Sequence, residues 1–277
     1  MLTLMTPGEL ERRMDWAWRL THDLTRSGYP TYMDGIKTRE DFVRAAEEGM
    51  AGNDEELLLF RTEGEVCGWI QWYWLPEDRY AATSVFLTSA HTDAALAEFT
   101  AYAARKLPGY ALHMGFPANN ADAVQWLDKH DFRLLEASVN HTMFFDRYAS
   151  REVSPDVRLM KRAEDEALFR ALHTDTDLYW TAERILAARE RWRVYLYRRE
   201  AALYAQVSPG GWPEIFGLAG SDAPEACEAL MTACLNDCKA AGCAWMSYFE
   251  EDERRLPVLA RLGFEVVSRY VCYQKIL

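Results

Sequence analysis

The sequence predicts an α+β fold laid down twice, as two tandem domains that each carry a mixed central sheet flanked by helices. Three observations support this. First, residues 253–264 place Leu256, Leu259 and Leu262 on one helical face and then Gly263-Phe264, a helix stop followed by a strand. Glycine suits that stop because it takes positive φ without steric cost. Second, the phrase has a counterpart 132 residues earlier, where N-N-A-D-A-V-Q-W-L-D-K-H-D-F runs to Phe132. Third, the same offset aligns residues 83–145 with 215–277 without a gap, pairing Phe86 with Leu218, Phe99 with Met231, Met114 with Met246 and Val139 with Val271. Identities are few, so the agreement lies in apolar pattern and turn signals, as in a diverged duplication.

The elements follow in order. Residues 1–5 read as a short strand. Thr6-Pro7 starts a helix over 9–24 with Leu10, Met14, Ala17 and Leu20 at helical spacing, and Gly28-Tyr29-Pro30 breaks it. Thr38 with Asp41 caps a second helix that ends near Gly49. Residues 56–61 and 66–74 are β-rich runs joined by Thr62-Glu63-Gly64-Glu65, a hairpin signature, and 80–87 is the next strand. An Ala-rich helix spans 92–107 with Leu96, Phe99 and Ala103 on one face, stopped by Pro108-Gly109. A buried strand (110–116), a helix (121–130) and a last pair of strands (132–145) complete the first copy.

Residues 151–156 are polar and contain Pro155, so they are expected to link domain 1–150 to domain 151–277. The second copy repeats the plan with a strand at 157–161, helices at 164–172 and 181–190, and a hairpin at 193–207. A strand at 214–219, a helix at 223–241, a strand at 243–249 and the closing helix and strands follow.

Composition narrows the function. With 277 residues, 49% hydrophobic and 13% aromatic, both halves have enough apolar side chain for a core. A formal charge of −12 argues against a nucleic-acid or anionic-membrane partner. No apolar run approaches the roughly 20 residues of a membrane helix, and residues 1–8 lack a basic start followed by an apolar core. The expectation is a cytoplasmic protein. Its six cysteines then read as free thiols, with Cys227, Cys234 and Cys238 at helical spacing beside Leu230 and Met231 as core. No C-x-x-C pair points to a metal.

The element order, with Asn120 and Ala123 ahead of one helix and Gly263-Phe264 closing another, resembles the GCN5-related N-acetyltransferase (GNAT) superfamily, and the two-copy layout is similar to that of the mycothiol synthase type. The resemblance covers nearly the whole chain twice. It implies acetyl-CoA as co-substrate, a small-molecule amine as acceptor, and transfer of the acyl group between them. The family's R/Q-x-x-G-x-G/A motif cradles the pyrophosphate on backbone N–H groups and a helix N-terminus. At that place this chain has L-T-S-A-H-T-D from Leu87 and A-G-S-D-A-P-E from Ala219, so the motif is degenerate in both copies. Asp93, Asp222 and Glu225 lie there too, where carboxylates also stabilise a helix start.

On this resemblance the cofactor-binding candidates are Ala219, Gly220 and Ser221 in the second copy and Ser89, His91 and Asn120 in the first. Gly220 gives the second copy preference, as the one glycine at either phosphate position. The family's frequent catalytic tyrosine falls on Leu127 and Leu259, which cannot protonate a thiolate. Tyr248, Glu250 and Tyr273 are the catalytic candidates in its stead. His113 is a further first-copy candidate, and the run Trp69, Trp72, Tyr73 and Trp74 is open to two readings, a core or an acceptor pocket, with Tyr73 on the opposite face from Trp72 and Trp74. A catalytically silent GNAT-fold module that binds a small molecule or a protein partner is the alternative function, favoured by the degenerate motif.

Overall fold

The computed structural model describes residues 1–28, 36–174, 179–207 and 213–277. The chain forms two compact units, one of Met1–Ser138 with Val267–Leu277, the other of Val139–Val266.

The first unit begins with β1 (Leu2–Leu4), α1 (Pro7–Leu20) and α2 (Arg39–Ala51). Thr6 caps α1 through the Glu9 amide, and Thr38 with Asp41 forms a complete capping box on α2, as the sequence predicts. There follow β2 (Glu55–Thr62), β3 (Glu65–Leu75), β4 (Tyr80–Thr88), α3 (Thr92–Lys106), β5 (Ala111–Pro117) and α4 (Ala121–Lys129). The pairings β1–β2, β2–β3 and β3–β4 are antiparallel, and β4–β5 is parallel. Alternation along β3 decides its faces. Trp69 packs with α1 and α2 residues Met14 and Phe42, whereas Trp72 and Trp74 pack with Leu96 and Phe99 of α3.

The second unit carries β7 (Val157–Leu159), α5 (Ala163–Leu172), α6 (Ala182–Ala187), β8 (Trp192–Tyr197), β9 (Ala201–Gln206), β10 (Glu214–Gly220), α7 (Pro224–Ala240), β11 (Trp245–Glu250) and α8 (Leu256–Leu262). Its β7–β8, β8–β9 and β9–β10 pairs are antiparallel and β10–β11 is parallel. Cys227, Cys234 and Cys238 lie in the core between α7 and the sheet. Gly263 ends α8 with φ +95°, the left-handed stop read from the sequence.

The final strands depart from expectation. In place of a pair of strands, each copy ends on one 12-residue strand, β6 (Arg133–Phe144) and β12 (Glu265–Ile276), 132 residues apart at both ends. Neither contains Gly or Pro, so nothing turns the chain back. β12 pairs antiparallel with β5 of the first unit, and the later half of β6 pairs antiparallel with β11 of the second. The chain therefore does not divide at 150/151 as the polar stretch suggests: residues 139–150 belong to the second unit and 267–277 to the first. Hydrogen bonding sets this division, because a strand joins whichever ladder its amides complete.

Helix α1 is shorter than the 9–24 expected, and the break at Gly28-Tyr29-Pro30 lies partly outside the described residues. Among the described residues no helix is long and apolar enough to cross a membrane.

Candidate functional site

In each unit the two parallel strands touch only at their start and then diverge. β4 meets β5 at Tyr80, Ala81 and Ala82, and β10 meets β11 at Glu214 and Ile215. A crevice outside the carboxyl ends of such strands is the common ligand position in α/β sheets.

In the first unit the chain fills this crevice itself. Residues 26–28 run antiparallel to β4, with a bridge between Ser27 and Leu87, the Gly28 amide donating to Phe86 O at 2.6 Å and the Thr88 amide donating to Arg26 O at 3.0 Å. Gly28 suits the narrow gap: a Cβ there would stand 2.9 Å from Phe86 Cβ and 3.0 Å from the Phe116 ring. Asn120, 1% exposed, fastens the insert by donating from Nδ2 to Ser27 O at 3.1 Å, while its Oδ1 accepts from the Ala123 amide as the α4 N-cap. Val85, Phe86, Leu87 and Thr88 are buried, Val85 and Leu87 in the core with Met14 and Phe42 and Phe86 in the core with Phe99.

In the second unit no segment among the described residues runs along the matching half of β10. Phe216, Gly217, Leu218 and Ala219 are half-buried and Gly220 is exposed. The β9–β10 ladder bulges between Ile215 and Gly217, and a bulge releases a backbone amide from the ladder. At the mouth, Gly220 has φ +86°, and a Cβ on it would lie 2.3 Å from Glu200 O. The strand end thus needs glycine for its own packing. Ala219 and Gly220 pair with Ala202 and Ala201, the Ser221 amide donates to Glu200 O at 2.8 Å, and Ser221 Oγ accepts from the Ala223 amide just before α7.

A charged network borders this mouth. Asp222 accepts from Arg255 at 2.6 Å and from Arg254 at 2.9 Å, and these guanidiniums hold its carboxyl below the usual range. Arg255 reaches onward to Glu250 at 3.3 Å, and its Nε is buried without a hydrogen-bond partner. Glu250, 3% exposed, also accepts from Tyr248 Oη at 2.6 Å and from the Asp252 amide at 2.8 Å. Burial, with the Glu250 charge beside it, pushes the Tyr248 phenol well above its ordinary pKa.

The structure thus brings Tyr248 and Glu250 together and places Tyr273 elsewhere. Tyr273 lies on β12 in the first unit, 3% exposed, and donates to Asp128 at 2.7 Å; burial and then that carboxylate push its phenol up to about 12. Ser89 bonds Cys67 O through its amide at 2.9 Å and its hydroxyl at 3.4 Å. His91 precedes α3 with φ +57° and borders, with Asp93, Asp122 and Lys129, a cavity of about 430 Å³.

Residues 26–28 and Arg254-Arg255 are absent from the sequence-based candidates. The pair E-R-R ahead of the closing helix was a visible signal. The insert had none, since Ser27-Gly28 reads as an ordinary helix break.

No family model and no curated protein matches the chain. Solved structures do. A GCN5-related N-acetyltransferase from Sphaerobacter thermophilus is similar at TM-score 0.64 and 13% identity, covering 100% of this chain and 95% of its own. A tandem GNAT protein from the clavulanic acid biosynthesis pathway is similar at TM-score 0.58 and 13% identity, covering 100% and 98%. A GCN5-related N-acetyltransferase from Kribbella flavida reaches TM-score 0.54 at 14% identity, over 84% of this chain and 94% of its own. Together with the diverging parallel strands in both units, these likenesses establish that the chain has the GCN5-related N-acetyltransferase fold in tandem.

Proposed function

We propose that the protein is an acyl-CoA-dependent N-acyltransferase that uses its second unit to bind the acyl donor and acts on a small amine. The observation behind this reading is the open carboxyl half of β10, set beside a first-unit crevice already filled by its own chain. The arm of coenzyme A carries two amide groups, so it can lie along Phe216–Ala219 as an added strand does, exchanging backbone hydrogen bonds. On this reading the amide released at the Phe216 bulge would polarise the thioester carbonyl. The acceptor nitrogen attacks that carbon, the C–S bond breaks, and the thiolate takes up the proton lost by the amine. Tyr248 and Glu250 are too deeply buried to meet an acceptor, so we assign them the task of holding Arg255 at the mouth.

The pyrophosphate would sit at Ser221 and the start of α7, where the dipole contributes about 0.3–1 kcal/mol. Asp222 opposes it less than the sequence implies, because both arginines already engage that carboxylate.

Calorimetric titration with acetyl-CoA tests the proposal. One site per chain is expected, lost in Ser221→Asp, which keeps an oxygen to accept from the Ala223 amide and adds a negative charge. No heat from the wild type, or unchanged binding in the variant, overturns it.

The silent-module reading applies to the first unit taken alone. With residues 26–28 bonded along β4, an acyl-CoA arm has no edge to join there.

A further inference from the structure

The first unit nevertheless contains a cavity of about 250 Å³ on the side of the sheet facing α2. Its floor is made of small residues on three strands: Ala82 and Ser84 on β4, Gly115 on β5 and Cys272 on β12. Its sides are aromatic. Tyr80 packs against His113 at 4.5 Å between ring centroids and against Tyr73 at 6.1 Å. Tyr270 closes the far side over Gly115, where a Cβ would stand 2.0 Å from the phenol oxygen.

Lys37, Thr83 and Ser84 also line the cavity, and two further polar groups, whose orientation their partners fix, give it a chemical preference. Gln71, 3% exposed, donates from Nε2 to Ala45 O at 3.0 Å and to Glu55 at 2.7 Å. Those two acceptors fix the amide orientation, and Gln71 Oε1 is left buried with no partner. Such an atom is destabilising until a donor reaches it. His113 is the second group. Arg133 donates to Gln274 Oε1 at 3.4 Å, which turns the Gln274 NH2 toward His113 Nε2 at 3.1 Å. An imidazole that accepts at Nε2 is neutral and carries its proton on Nδ1. Burial and the nearby Arg133 charge agree, pulling His113 down to about 4.

We infer that this cavity is a non-catalytic binding site for a small, flat, uncharged heteroaromatic molecule that carries a ring N–H, with its ring between the tyrosines and its N–H on Gln71 Oε1. Flat aromatic walls favour offset or edge-on ring contacts, and the bare amide oxygen asks for one donor. The volume suits a one- or two-ring molecule, since each water-sized portion of liquid takes about 30 Å³. A ligand in this cavity has no acyl donor beside it in its own unit, because residues 26–28 occupy the crevice. It is bound and not acylated there.

Indole and 1-methylindole distinguish donor from shape. Titration of the full chain, followed by calorimetry, is expected to show one indole site and roughly tenfold weaker binding of 1-methylindole, the worth of one buried hydrogen bond. Ala82→Leu, which fills the floor, is expected to abolish indole binding; Gln71→Met is expected to bind both probes alike. Circular dichroism confirms that each variant is folded, and either folded variant suffices. The inference is overturned by no indole binding to the wild type, by equal affinity for the two probes, or by binding that survives Ala82→Leu. None of these outcomes bears on acetyl-CoA binding at Ser221, so the two proposals fail separately.

Discussion

The crevice between β4 and β5 and the crevice between β10 and β11 start from the same topology and end differently. In the first unit, residues 26–28 supply the hydrogen bonds that the diverging strand would otherwise leave open, and Asn120 locks them in place. In the second, β10 beyond Ile215 keeps a half-exposed edge, and charges gather at its mouth instead: Asp222, Arg254, Arg255 and Glu250. A strand edge demands partners. One copy answers that demand with its own backbone. Among the described residues the other has no such segment, which is why we propose the acyl donor there.

The largest effect should come from the charged side of this comparison. Arg255→Met removes the guanidinium from Glu250, whose side chain is 2% exposed. Stranding a buried charge costs about 3–5 kcal/mol, so the urea midpoint should drop sharply. Replacing the exposed Arg254, whose side chain is 74% exposed, should change it little. Equal effects from the two would mean that the Arg255–Glu250 pair does not anchor the mouth.

Next comes the filled crevice. Gly28→Val must displace Phe86 or Phe116, and overpacking of this kind costs about 1–3 kcal/mol. Ala219→Val in the open crevice should stay within about 0.5 kcal/mol, because Ala219 is half-exposed on β10. If both substitutions are neutral, the first crevice is not packed shut and the contrast fails.

Much of this was legible in the sequence, and the reason differs from element to element. The 132-residue offset foretold the equal placement of β6 and β12 because apolar pattern survives when identity does not. The sequence foretold the cap of α2 and the stop at Gly263 because those follow local backbone rules. It did not foretell which ladder each closing strand would join. Residues 151–156 look like a linker, yet pairing partners are chosen across the fold and leave no mark in a polar stretch. Tyr273 was grouped with Tyr248 and Glu250 for the same reason, and β12 carries it into the first unit. The aromatic run on β3 divided as alternation requires, with Tyr73 at the cavity and Trp72 and Trp74 in the core. The cavity itself was hidden, because its floor is made of unremarkable small residues from three separate stretches.

The smallest predicted effect concerns acid. His113 is pulled down to about 4 by burial and by Arg133, against roughly 6.5 in an unfolded chain. Between those values the unfolded state binds more protons than the folded one, so stability is complete above about pH 6.5 and falls as the pH drops toward 4. Allowing for the water that reaches a half-buried ring, the loss from pH 7 to pH 5 attributable to this residue is about 1 kcal/mol. The comparison between copies sharpens the test, because Trp245 stands 132 residues on from His113 and its indole does not titrate. His141 in the second unit is also pulled down by burial, so wild-type acid sensitivity is a sum over residues. The informative measurement is therefore a difference of differences. His113→Gln keeps an oxygen to accept from Gln274 and cannot titrate, so its urea midpoint should fall less between pH 7 and pH 5 than that of the wild type, whatever its stability at pH 7. An identical fall in both would mean that His113 is already solvated and protonates freely, and the neutral tautomer drawn from Arg133 and Gln274 would be wrong.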